Sequence, residues 1–138
     1  SDAAPAASHV NGHLEALTDG IVPDASDDAS APRFTWWDRK GAQEWVSLTF
    51  PETRRVSGVE VYWFADGGRG QCHLPESWEV EWSPDGDDWR PVEAGSGYGV
   101  HADILNRVTF EPVDARALRL SVQLREGVSA GILEWRVV

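Results

Sequence analysis

Ser77-Trp78-Glu79-Val80-Glu81-Trp82-Ser83-Pro84-Asp85-Gly86-Asp87-Asp88-Trp89 is the stretch that decides the fold class. Its first half alternates. Trp78, Val80 and Trp82 face one way and Glu79 and Glu81 the other, the period-two pattern of a strand with one buried and one wet face. Ser83 to Asp88 is a turn by composition, since proline presets φ and glycine reaches positive φ. Trp89-Arg90-Pro91-Val92 then reads as a short returning strand. A hairpin with one solvated face belongs to an antiparallel sheet.

The same pattern recurs outward in both directions. Val46, Leu48 and Phe50 share one face of Trp45–Phe50, and Pro51-Glu52-Thr53-Arg54-Arg55 punctuates. Val56–Phe64 is rich in β-branched and aromatic residues. Asn106–Phe110 follows a glycine-rich loop, and Leu118, Leu120, Val122 and Leu124 alternate with Arg119, Ser121 and Gln123. Gly131–Val138 closes the chain. Short strands split by turns, with no helical period, predict an all-β antiparallel β-sandwich of about eight strands. Two irregular segments are long for loops, Asp19 to Trp37 and Ala65 to Glu76. Long ordered loops in a compact domain usually carry function.

Composition bounds the rest. The 138 residues, 41% hydrophobic, suffice for one core without disulfide or zinc staples. A formal charge of −11 repels nucleic acid and anionic membranes, so neither is an expected partner. The excess acid reads either as solubility or as ligands for a hard cation. The one cysteine, Cys72, excludes an internal disulfide and a thiolate-rich zinc site, and reads as a quiet thiol. No apolar run is long enough to span a bilayer, and no signal-peptide pattern is seen. Residues 1–8, small and with a proline, read as a linker remnant, leaving 9–138 as the domain and a monomer as the expected state.

Several local patterns fall in one order. They are Ala16-Leu17-Thr18-Asp19-Gly20, then Trp36 or Trp37, then Glu44–Phe50, Val56–Val61, Trp78–Trp89, Ala117–Leu120 and Ile132-Leu133-Glu134-Trp135. The ordered set covers nearly everything after residue 12 and resembles the galactose-binding-like superfamily, with its discoidin (coagulation-factor type C) domains and bacterial carbohydrate-binding modules. Pro32–Gly41 and Val61–Cys72 are also similar to segments in C-terminal modules of bacterial β-L-arabinofuranosidase-like glycoside hydrolases. The resemblance implies a galactose-binding-like jelly roll. It implies a module without catalysis that targets a covalently linked, secreted glycoside hydrolase to galactose- or arabinose-containing polysaccharide. The alternative is a sandwich that binds no sugar and docks on the parent's catalytic domain.

The resemblance also implies a structural calcium, held by the Asp of the DG segment, the loop after it and the Glu of the last strand. Those positions here are Asp19 and Glu134, with Asp24, Ser26, Asp27, Asp28 and Ser30 on the loop and Asp28 the preferred third ligand. The bland reading is a solvated acidic loop with Asp19 as a turn former.

A sugar offers a C–H face and a ring of hydroxyls, so its binder needs an aromatic platform plus planar or charged hydrogen-bonding groups. Trp37, Asp38 and Arg39 supply both on one loop; Trp63, Asp66, Arg69 and His73 supply both on the next; Tyr98 and His101 lie on the glycine-rich loop. Of adjacent Trp36 and Trp37 only one can point inward, and Trp37 is taken as the outer. Trp63 shares the parity of Val59 and Val61, a core position as well as a site position. Tyr98 is equally a lid or a platform. Trp45, Trp78, Trp82, Trp89 and Trp135 read as packing. Asp87 and Asp88 lie in a turn where nothing buries either for acid catalysis, and no nucleophile or nucleotide motif appears, so no enzyme is expected.

Overall fold

The computed structural model describes residues 3–28, 30–66 and 71–138. Its strands are β1 Ala4–Ala7, β2 Asn11–Gly12, β3 Phe34–Thr35, β4 Gln43–Phe64, β5 Ser77–Ser83, β6 Arg90–Pro91, β7 Leu105–Gln123 and β8 Gly131–Val137, with a 3-10 turn at Leu14–Thr18. Every pairing between these strands is antiparallel.

The segments expected as separate strands on either side of Pro51 are one strand, β4, and those around Asp114 are one strand, β7. Each runs through both layers. Residues 43–49 of β4 pair with 117–123 of β7, and 54–62 pair with 105–115, with the register slipping between Thr49 and Arg54. One layer is therefore β1-β4-β7-β5-β6 and the other β7-β4-β8-β3-β2, joined by backbone hydrogen bonds at the corner. Val46, Leu48 and Phe50 from the first layer meet Val59, Val61 and Trp63 from the second in one apolar cluster. Leu118, Leu120 and Val122 of β7 are fully buried in it. Each such side chain contributes about 1.5–3 kcal/mol by leaving water.

Residues 4–7, expected as linker, form β1 and lie alongside Thr49 to Val46 of β4. An edge strand accepts the proline because its outer N–H positions need no ladder partner, and Ala-Pro-Ala-Ala carries no apolar alternation by which to read it. Gly131 is required by close approach. A Cβ there would stand 2.6 Å from the Phe34 carbonyl oxygen, where β3 crosses β8.

Because β4 folds over, both of its ends reach the same rim. Gln43 faces Gln123 at one end, and Phe64 faces Gly131 at the other. The loops 36–42, 71–76 and 124–130 meet there.

Candidate functional site

The rim is laced by backbone hydrogen bonds around Ser129 and Ala130. On one side the Trp36 N–H donates to the Ala130 carbonyl (3.0 Å), and Gly41 donates to Val128 (3.3 Å). On the other side His73 donates to Ser129 (3.0 Å), and Ser129 donates back to Gln71 (2.7 Å). The two loops richest in candidate residues thus flank one segment, to which backbone hydrogen bonds tie them. Preformed loops lower the ordering cost of binding.

Trp36 is fully buried, edge-on to Phe34 at 5.0 Å, and its indole N–H donates to the Trp45 carbonyl (3.2 Å). Trp37, in the turn that follows, is half-buried and outside both apolar clusters. The Lys40 ammonium lies 5.0 Å from its ring centroid. Asp38 and Arg39 beside it are exposed. The His9 Nε2 lies 3.0 Å from the Trp37 carbonyl oxygen and 3.8 Å from the Asp38 carboxylate. His9 is a contributor with no local signature, since the β1–β4 and β2–β3 pairings on either side of it bring the N-terminal segment to this loop.

On the second loop Asp66 turns its carboxylate inward. The Cys72 N–H donates to its Oδ2 (3.0 Å), while the Asp66 N–H donates to the Cys72 carbonyl (3.1 Å). Asp66 therefore closes the neck of the loop. Arg69 lies outside the described residues. His73 is exposed. Cys72 is buried, which pushes its thiol up to about 11, so it is not a nucleophile at neutral pH.

Two proposed platforms are placed elsewhere. Trp63 is fully buried, edge-on to Trp78 at 5.3 Å, so it cannot meet a ligand; the parity with Val59 and Val61 prevails. Tyr98 continues the stack, edge-on to Trp78 at 5.1 Å, and its hydroxyl accepts from the Val80 N–H (3.2 Å). It seals the core as a lid. His101 is exposed, on a loop tied down by buried Asn106, whose Oδ1 accepts the His101 N–H (2.9 Å).

Trp45 and Trp89, read from sequence as packing, are half-buried and belong to neither apolar cluster. For Trp45 the signal was present, because it has the opposite parity to Val46, Leu48 and Phe50. Trp78, Trp82 and Trp135 do pack against or within the core.

The acidic candidates separate. Glu134 is only 3% exposed, and its Oε1 accepts the Gly20 N–H (3.2 Å). Burial pushes its carboxyl up to about 7, the Gly20 N–H opposes this, and the adjacent Asp19 carboxyl, within hydrogen-bonding reach, adds to it. Arg136 lies 3.7 Å away on the solvent side. Asp28 is not part of this pair. Its Oδ1 accepts from the Ser30 N–H and hydroxyl in a local turn. Among the described residues no three His, Cys, Asp or Glu side chains converge as a metal cage, so the expected set of three carboxylates does not form. The buried Glu134 carboxyl beside the exposed Asp19 carboxyl, with oxygen-only donors, does fit a hard cation, with backbone carbonyls completing the shell.

The F5/8 type C domain profile matches residues 4–135. Among solved structures, the chain superposes on one from the Streptococcus pneumoniae beta-galactosidase BgaA with a TM-score of 0.77 and 20% identity, covering 96% of this chain and 89% of that one. It superposes on the family 32 carbohydrate-binding module of C. perfringens NanJ, solved in complex with galactose, with a TM-score of 0.74 and 16% identity, covering 99% and 93%. It also matches a putative alpha-L-fucosidase from Bacteroides thetaiotaomicron, TM-score 0.73 and 21% identity, covering 98% of this chain but only 27% of that longer one. Because that profile spans almost the whole length, this chain belongs to the F5/8 type C domain family.

Proposed function

We propose that this domain is a carbohydrate-binding module without catalytic activity, carried by a glycoside hydrolase, and that the rim around Trp37 binds the sugar. The observation that carries this reading is a half-buried indole outside the core, beside exposed Asp38 and Arg39, with exposed His73 on the loop across the 129–130 segment, both loops tied to that segment by backbone hydrogen bonds. The ring supplies a face for sugar C–H groups, and the charged groups supply paired hydrogen bonds to vicinal hydroxyls. Asp66 shapes the loop, and Arg69 adds a further donor in this reading. The galactose complex of the NanJ module and the occurrence of such a domain within a longer fucosidase-like chain support a sugar ligand and an enzyme parent. Galactose- or arabinose-configured residues are the proposed targets, and a secreted parent is the proposed context.

A calcium ion between Asp19 and Glu134 is part of the same reading. It would relieve the crowding of the buried Glu134 carboxyl against Asp19 and hold the 3-10 turn against β8.

Titration with galactose, arabinose and their oligomers, followed by tryptophan fluorescence with and without calcium, tests the reading. A saturable change that is lost in Trp37→Ala supports it. No change with any of these sugars points instead to a domain that docks on its parent enzyme.

A further inference from the structure

Three tryptophans, Trp37, Trp45 and Trp89, stand outside the apolar clusters. The rim uses only the first. The other two lie on the solvent face of the layer β1-β4-β7-β5-β6, and the residues around them form a pattern.

The ladder registers define that face in rows. Gln43, Gln123 and Ser77 make the row nearest the rim. Trp45, Ser121 and Glu79 make the next, and Ser47, Arg119 and Glu81 the one after. The Gln43 amide donates to the Ser121 hydroxyl (2.7 Å), and Arg119 Nε donates to Glu81 (2.9 Å). The Trp89 ring covers the Arg119 guanidinium, its centroid 4.4 Å from Cζ. Trp45 on β4 and Trp89 beside β6 therefore stand with β7 and β5 between their strands. Between them lie amides, a hydroxyl, a carboxylate and a guanidinium rather than apolar side chains. On the β1 side the residues beside Ser47 and Thr49 are Ala6 and Ala4, too small to cover an indole.

This arrangement is poor for a protein partner, whose interface needs a contiguous apolar centre. Glu79 and Glu81, on a chain of charge −11, oppose a polyanion. Spaced rings with hydrogen-bonding groups between them match repeating C–H faces and hydroxyls. The strip is also continuous with the rim, because Gln123 Nε2 donates to the Gly41 carbonyl (3.2 Å) of the Trp37 loop.

We propose that this sheet face is a second glycan-binding surface, which takes the interior of an extended, uncharged polysaccharide on Trp45 and Trp89. It is a site separate from the rim and stands or falls independently of it.

The test uses the full chain. The probes are β-1,4-galactan, arabinogalactan and xyloglucan in affinity electrophoresis, and oligosaccharides cut from them in NMR titrations. The indole N–H resonances of Trp45 and Trp89 are assigned from Trp45→Phe and Trp89→Phe spectra. Both should shift with at least one oligomer series and not with free galactose. The pair Trp45→Ala and Trp89→Ala should weaken retention about tenfold, as expected for withdrawing roughly 60 Å² of apolar contact. The same pair should leave galactose binding at the rim as it was, and Trp→Phe replacements should retain most of the polysaccharide affinity. Unmoved Trp45 and Trp89 resonances in the native chain, full retention by the double variant, or no retention of the native chain by any of the three polymers would each overturn the proposal. Loss of galactose binding in Trp37→Ala, or its absence, reports on the rim alone.

Discussion

Replacing Glu134 by glutamine isolates the most strained electrostatic feature of the domain. A carboxyl whose pKa is higher in the folded chain than in the unfolded one binds its proton more tightly when folded. The stability held by that proton is complete below pH 4.5 and is lost as the pH rises through about 7. Moving the pKa from 4.5 to about 7 corresponds to a loss of about 3 kcal/mol between those limits. For a domain of this size that is about 10 °C in Tm. In a chelating buffer, melts followed by near-ultraviolet circular dichroism should show the native chain falling in Tm between pH 5 and pH 8. Glu134→Gln should lack that component, because glutamine can still accept the Gly20 N–H but carries no charge beside Asp19. At pH 8 without metal the variant should be the more stable protein. Calcium should raise the native Tm at pH 8 and leave the variant nearly unmoved. Parallel pH profiles for the two proteins would refute the reasoning, since the burial of Glu134 beside Asp19 would then have no thermodynamic weight.

Asn106→Ala should cost about 2–3 kcal/mol, measured by urea denaturation, because buried Asn106 accepts from His101 and donates to the Val61, His101 and Ile104 carbonyls. Gly131→Val should lower Tm sharply or prevent folding, since even a Cβ meets the Phe34 carbonyl oxygen at 2.6 Å; an unchanged melt would contradict the β3–β8 crossing. Leu120→Ala should destabilise by about 2–5 kcal/mol through an unfilled core cavity, read by the same denaturation. Trp37→Ala, in contrast, should leave Tm within about 1 °C while changing sugar binding, because the ring lies outside the core.

The candidate site was legible in part. The expectation that only one of Trp36 and Trp37 points inward holds, although Trp37 sits in a turn rather than on extended chain, and the pairing of Asp19 with Glu134 was implied by resemblance. Trp63, Tyr98 and Asp66 were visible as residue types, but their roles depend on neighbours far along the chain. Trp63 meets Trp78, Tyr98 meets Val80, and Asp66 closes back on Cys72. Asp28 was grouped with Asp19 by sequence distance, yet its turn with Ser30 satisfies it locally. Trp45 was misjudged although its parity pointed outward.

By itself the sequence determined the long alternating strands and which face of each is apolar, because a period of two is a property of extended backbone. The Ser83–Asp88 turn was equally local: Asp85 accepts the Asp87 and Asp88 N–H groups there, and Gly86 takes φ +93°. Only the tertiary structure decided that β4 and β7 each run through both layers, that residues 4–7 join the sheet, and which tryptophans remain outside the core. Those outcomes follow from which strand edges and faces are already occupied, and that is settled by partners dozens of residues away.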